Sequence, residues 1–213
     1  MKRPAQKINL PLSLLFIFLI HLPFVFARSK PVPEVITKTP VNIPINITHS
    51  YVLYDSLQLE SLGLTRQAFV EGVKGYEILR ASGKLNNDNI LTIADFSLPS
   101  SQKRLFVIDI ENLKVLYQTY VAHGRNSGKE YANQFSNAPK SNMSSLGFYV
   151  TGNTYEGENG LSLRLEGEEH GFNDNAKSRA IVIHCADYVS EKMIETLGYL
   201  GRSLGCPALP RKS

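Results

Sequence analysis

The chain has 213 residues, with 23 lysines and arginines against 19 aspartates and glutamates, and 43% of its residues are hydrophobic. Three of the cations, Lys2, Arg3 and Lys7, sit at the very start; without them 20 basic residues face 19 acidic ones, so the rest of the chain lacks the positive field that nucleic-acid binding requires. No phosphate-binding glycine loop or dinucleotide fingerprint occurs, so neither a nucleic-acid partner nor a cofactor is expected.

The basic start is followed by an apolar segment from Leu10 to Phe26, interrupted by Pro11, His21 and Pro23 and ending in Val25-Phe26-Ala27. This pattern reads as a secretory signal over residues 1–27. It comes close to the length of a spanning helix, but its prolines and its small terminal residue favour removal, and no later stretch could span a bilayer. An exported chain with no stable membrane insertion is therefore expected. Residues 28–48 carry Pro31, Pro33, Pro40 and Pro44 and read as an extended linker, leaving 49–213 as one domain, long enough to bury a core.

Within that domain Phe69, Val73, Tyr76 and Leu79 recur at helical steps and predict a helix over 65–82, stopped by Gly83, with its aromatic stripe packed on the domain. Beyond it the pattern changes to strands: 91–96, 104–110 and 114–122, the last two joined by a turn at Glu111-Asn112-Leu113, then 146–151, 161–165 and 180–184. Segments 124–145 and 153–160, rich in Gly, Asn and Ser, read as long loops able to border a groove. The composition of elements is β-rich with an N-terminal helical addition.

The chemistry concentrates near the end. The apolar strand Ile181-Val182-Ile183 runs into His184, and the loop Gly201-Arg202-Ser203-Leu204-Gly205 delivers Cys206 followed by Pro207. A thiol attacks as thiolate, which a neighbouring imidazole or the positive end of a helix favours. Pro207 suits the first turn of a helix, which would place Cys206 as its cap; the amides of Gly205 and Cys206 are then the natural oxyanion donors. His184 would act as base or as the cation of an ion pair. Taken alone, a histidine after an apolar run is more often a bonded core side chain, and Gly-Cys-Pro more often a plain turn, so spacing does not decide. Cys185 and Cys206 could also pair as a permanent or reversible disulfide in an oxidising compartment. A metal site from His184, Cys185, Cys206 and His170 fits no paired zinc-ligand spacing, and no metal is expected.

The run His184-Cys185-Ala186-Asp187-Tyr188-Val189-Ser190 with Gly201-Arg202-Ser203-Leu204-Gly205-Cys206-Pro207-Ala208-Leu209 resembles the signature of the murein L,D-transpeptidase catalytic-domain family. Upstream, Lys74-Gly75-Tyr76, the stretch from Ala122 to Gly128, the stretch from Ser144 to Gly152, and Gly160 to Gly167 with Gly171 to Asp174 are similar to that family too. The resemblance covers most of the chain from about Leu64 onward. It implies a mixed β-sandwich in which Cys206 attacks the bond between an L-centre and D-Ala in a peptidoglycan tetrapeptide stem. The resulting acyl-enzyme passes its acyl group to an amine or to water, in a bacterial periplasm or cell envelope. On the same likeness Cys206 is nucleophile, His184 base, and Cys185 the residue that orients the imidazole. Arg202 and Ser203 shape the pocket. His123 and Arg164 are further candidates for substrate contact, with a loop-bonding histidine and a structural ion pair as their plainer alternatives. The chain departs from the family pattern in having Cys185 where a small residue is usual and Ala208 where wider relatives carry arginine. It also reads as C-terminally short, which raises a noncatalytic peptidoglycan-binding homologue as the alternative.

Overall fold

The computed structural model describes residues 47–211; the expected signal and all but the last two residues of the expected linker lie outside them. Those two, Ile47 and Thr48, instead open a helix, α1 (Ile47–Ser56). This helix was not expected. It forms because Leu53, Tyr54 and the following Leu57 are buried in a cluster with Leu64, Phe69 and Val73, and the Tyr54 hydroxyl donates to the Leu64 carbonyl. Among the described residues no helix is long and apolar enough to cross a membrane.

The predicted helix is α2 (Arg66–Ala81), capped at its start by Thr65, whose Oγ1 accepts the Ala68 amide at 3.3 Å. Thr65 is itself anchored, since its hydroxyl donates to buried Asp95 at 2.7 Å. Phe69, Val73 and Leu79 are buried, and the Tyr76 hydroxyl donates to the Asp88 carbonyl, so the aromatic stripe is core as expected. Gly83, at φ +68°, follows the C-cap.

Two sheets follow. The first is antiparallel, in the order β1 (Ile90–Ala94), β2 (Leu105–Asp109), β3 (Lys114–Thr119). The second runs β4 (Tyr149–Gly157), β5 (Gly160–Gly167), β6 (Val182–Ala186), β7 (Ala208–Pro210), antiparallel except for the parallel β6–β7 pair. The architecture is thus mainly β and mixed, with helices at its N-terminal side. Past β3 the chain pairs again through Ala122 opposite Ala208 and Gly124 opposite Ser203, which ties the first sheet's last strand to the segment around Cys206.

Three details differ from expectation. Residues 153–157 are strand rather than loop, because Thr154, Tyr155 and Glu156 find partners in Leu163, Ser162 and Leu161 across a tight turn. Glu191–Leu197 forms a short helix, α3, capped by Ser190 and stopped by Gly198 at φ +83°. Pro207 leads into strand β7 rather than a helix, since Ala208 to Pro210 pair with His184 to Ala186.

Among the described residues the core is divided among three clusters: one between α1, α2 and the first sheet, one around Ala122, Ala186, Val189, Leu200 and Ala208, and one around Leu165, Ala176 and Ile181. Next to them lies a buried cation. Arg104 has no exposed surface and no carboxylate within ion-pair distance among the described residues. It donates to the carbonyls of Val121 (2.9 and 3.1 Å) and Leu98 (2.7 Å) and to His123 Nδ1 (2.7 Å), with its guanidinium 4.9 Å from the centre of the Phe96 ring. Burial lowers its proton affinity, to a pKa of about 10, so it remains charged. Arginine has no acceptor, so His123 Nδ1 carries the lone pair and Nε2 the proton, which points to the Gly128 carbonyl at 3.3 Å.

Burial first, and then the Arg104 charge, lower the His123 pKa from 6.5 to about 4. The unfolded chain therefore binds a proton at this residue between those two values while the folded chain does not. Unfolding free energy is expected to fall as pH drops from about 6.5 to about 4. Urea titrations at a series of pH values should show this slope, and His123→Gln should flatten it.

Candidate active site

Cys206 closes a turn built by hydrogen bonds. Ser203 Oγ accepts the Gly205 amide at 3.0 Å and donates to the Cys206 carbonyl at 2.6 Å. The Ser203 amide donates to the His123 carbonyl (3.0 Å) and the Arg125 amide to the Ser203 carbonyl (2.8 Å), so the turn hangs on the segment that Arg104 and His123 hold. Ser144 Oγ donates to the Gly205 carbonyl (3.1 Å) and accepts the Gly124 amide (3.0 Å). Gly205 stands at φ +129°, and a Cβ there would meet the Met143 carbonyl oxygen at 2.8 Å and Ile181 Cδ1 at 3.2 Å, so both conformation and space require glycine.

This geometry corrects two expectations. Cys206 does not cap a helix, because the chain beyond it is extended. The Gly205 amide is spent on Ser203 Oγ and is not a free oxyanion donor, whereas the Cys206 amide has no internal acceptor among the described residues.

His184 is nearly buried on the central strand β6, and its Nδ1 lies 3.1 Å from the Cys185 carbonyl. A carbonyl only accepts, so this bond requires the proton on Nδ1 and leaves the lone pair on Nε2, the tautomer a base needs. Cys185 acts on the ring through its backbone, which any residue at that position supplies. Both cysteines are free thiols.

The Cys206 sulfur is directed at the Ala180 carbonyl, 3.7 Å away, and among the described residues no hydrogen bond joins it to the His184 ring. Burial raises the thiol pKa above its usual value; the Val182 amide and the Arg179 cation oppose that. Arg179 is fixed by four oxygens: Nη1 donates to Ser136 O (2.8 Å) and Ser145 Oγ (3.0 Å), Nη2 to Met143 O (2.6 Å) and Ser141 Oγ (3.3 Å). It thus pins the long 124–145 loop beside the thiol and supplies a positive charge there.

A half-buried cysteine on a glycine turn, a histidine of defined tautomer within the neighbouring strand β6, and a fixed guanidinium form one site. Over residues 60–213 the sequence matches the family model described as the L,D-transpeptidase catalytic domain. The chain belongs to this family. No curated protein and no solved structure shows significant similarity to it. The membership carries a peptidoglycan-related, transpeptidase-type function.

The remaining expected residues of this L,D-transpeptidase domain divide. Ser203 is buried in the turn and supports Cys206 rather than lining a pocket. His123 has no exposed surface and both ring nitrogens engaged, so it is corrected from a substrate contact to a support of the turn. Arg202 lines a cleft described below. Arg164 lies opposite Val182 on the neighbouring strand, on the face His184 shares, with its guanidinium 4.3 Å from the centre of the Tyr155 ring. His170 sits in an exposed turn paired with Asp174 at 2.7 Å. Among the described residues no three His, Cys, Asp or Glu side chains converge as a metal site.

Sequence reading missed Arg104 and Arg179. A charge at the start of an apolar strand reads as its solvated end, and Arg179 stands just before such a strand with no motif around it; a cation next to an otherwise apolar run is the only trace either leaves.

Arg179→Met is expected to slow alkylation of Cys206 by iodoacetamide at neutral pH roughly three- to ten-fold and to move its pH midpoint upward, with Arg179→Lys smaller in effect. Peptide mapping at Cys206, with far-UV circular dichroism as a check on folding, measures both.

Proposed function

We propose that the protein is a cysteine L,D-transpeptidase or L,D-carboxypeptidase acting on peptidoglycan tetrapeptide stems in the bacterial periplasm or cell envelope. The observation that carries this reading is the arrangement at Cys206: a thiol on a rigid glycine turn, near a cation, on the segment that pairs with the strand holding His184. Family membership supports the substrate class.

In this reading the thiol loses its proton to His184 Nε2, and the thiolate attacks the carbonyl of the L-centre that precedes D-Ala. The Cys206 amide donates to the oxyanion of the tetrahedral intermediate. Collapse breaks the C–N bond, forms the thioester, and the D-Ala amine departs with the proton from the imidazolium. The thioester then passes to an amine of another stem or to water, with Nε2 taking the acceptor's proton. Arg179 favours the thiolate throughout.

A second reading, a noncatalytic homologue that binds stem peptides, is favoured by two observations: burial raises the thiol pKa, and the thiol makes no hydrogen bond to His184 among the described residues. The two readings part on a single experiment. Incubated with disaccharide-tetrapeptides under reducing conditions, the exported chain is expected to gain a thioester-linked acyl mass at Cys206 and to release D-Ala, and Cys206→Ala to do neither. Dimeric muropeptides would identify the transpeptidase and tripeptides the carboxypeptidase. Binding without adduct or release would sink the catalytic reading.

A further inference from the structure

A concavity opens beside the Cys206 turn. It encloses about 350 Å³ and is lined by Arg125, Met193, Leu197, Tyr199, Gly201 and Arg202. No acidic side chain lines it, and among the described residues neither arginine has a carboxylate within ion-pair distance. Among the described residues Arg202 is held through one nitrogen of its guanidinium: Nη1 donates to the Gly128 carbonyl at 3.2 Å and the Arg125 carbonyl at 3.4 Å. Its guanidinium carbon stands 5.6 Å from the centre of the Tyr199 ring. The other guanidinium donors of Arg202, and all those of the Arg125 guanidinium, are unspent on protein acceptors among the described residues.

The cleft is joined to the Cys206 backbone through Ser203. The Arg125 amide donates to the Ser203 carbonyl, and Ser203 Oγ donates to the Cys206 carbonyl. On its other wall Gly201 lies hard against Tyr188, where a Cβ would come within 2.4 Å of the Tyr188 Cβ. Tyr188 in turn packs against the cluster of Ala122, Ala186 and Ala208, the residues that pair around the Cys206 segment.

Two guanidinium groups without acidic partners, on an otherwise apolar and aromatic cleft, match a carboxylate carried on a short aliphatic stem. We propose that this cleft is a carboxylate subsite, in which Arg125 and Arg202 hold an anionic group of an acidic peptide while Cys206 meets one of that peptide's carbonyls. Met193 and Leu197 cover the aliphatic atoms. The assignment rests on the acyl-transfer reading above for its substrate class.

A stem peptide offers the group from two sources, its C-terminal carboxylate or its side-chain carboxylates. Binding of the free tetrapeptide, of its C-terminal amide, and of its side-chain-amidated form to the otherwise intact Cys206→Ala chain separates them by calorimetry. One of the two amides is expected to bind about ten-fold more weakly than the free peptide, the loss of one charge-assisted contact, and which one names the source. In Arg125→Gln with Arg202→Gln that difference should vanish; should the pair fail to fold, exposed Arg125→Gln alone should reduce it. Equal binding of all three peptides, binding of none, or a difference that persists in the arginine variants would overturn the subsite. Charge-dependent binding with no acyl adduct on the wild-type thiol would instead overturn the catalytic reading and leave the subsite standing.

Discussion

The structure around the thiol depends on how one buried positive charge is accommodated. A guanidinium removed from water without a carboxylate partner is costly unless most of its donors find acceptors. Arg104 solves this with two carbonyls, one imidazole nitrogen and the face of Phe96. Each of those partners is thereby fixed: the Leu98 turn, the strand extension at Val121, and the ring of His123. His123 passes the constraint on, through Nε2 to the Gly128 carbonyl and through its own carbonyl to the Ser203 amide. The placement of Cys206 is therefore set from behind, by a buried polar network. Such networks are effective when fully satisfied, because any misplacement leaves a group unpaired in a medium that penalises it.

In front of the thiol the electrostatics are assigned differently from what the local sequence suggests. The chain after Cys206 is a strand, so no helix end supplies positive potential. That role falls to Arg179, which also anchors the loop carrying Ser141, Met143 and Ser145. One residue thus ties the position of this loop to the charge beside the sulfur. The imidazole is held separately, by a carbonyl one residue along its own strand. Its tautomer is defined whether or not the thiol is engaged.

Much of this was legible in the amino-acid sequence, for physical reasons that also mark where reading stopped. Helix α2 shows a 3.6-residue apolar period and β2 and β3 strand patterns because one face of each meets a core, while β6 reads as a continuous apolar run because both its faces do. The extent of β4 was not legible: residues 153–157 are polar and largely exposed, and only pairing with β5 makes them strand. Helix α1 escaped because its burial relies on Phe69 and Val73 of another helix rather than on a strong period of its own. At the site, Cys206, His184 and Gly205 stand out by residue type. The competition for the Gly205 amide does not, since it arises from the Ser203 side chain folding back within the turn. His123 read as a groove residue because histidine in a glycine-rich loop is ambiguous until the buried arginine beside it is seen.

Strand β7 is only three residues long, yet it joins His184 on one side and, through Ala208, Ala122 on the other. Both pairings link segments remote in sequence, so the loop-closure entropy they cost is offset only after the earlier strands are in place. Docking of this strand is accordingly expected late in folding. A chain whose helices and first sheet have formed already shows most of its helical signal while its thiol remains in an unorganised segment. For this protein, secondary-structure content and the population of competent nucleophile are separate quantities, and the second follows the closure of its shortest strand.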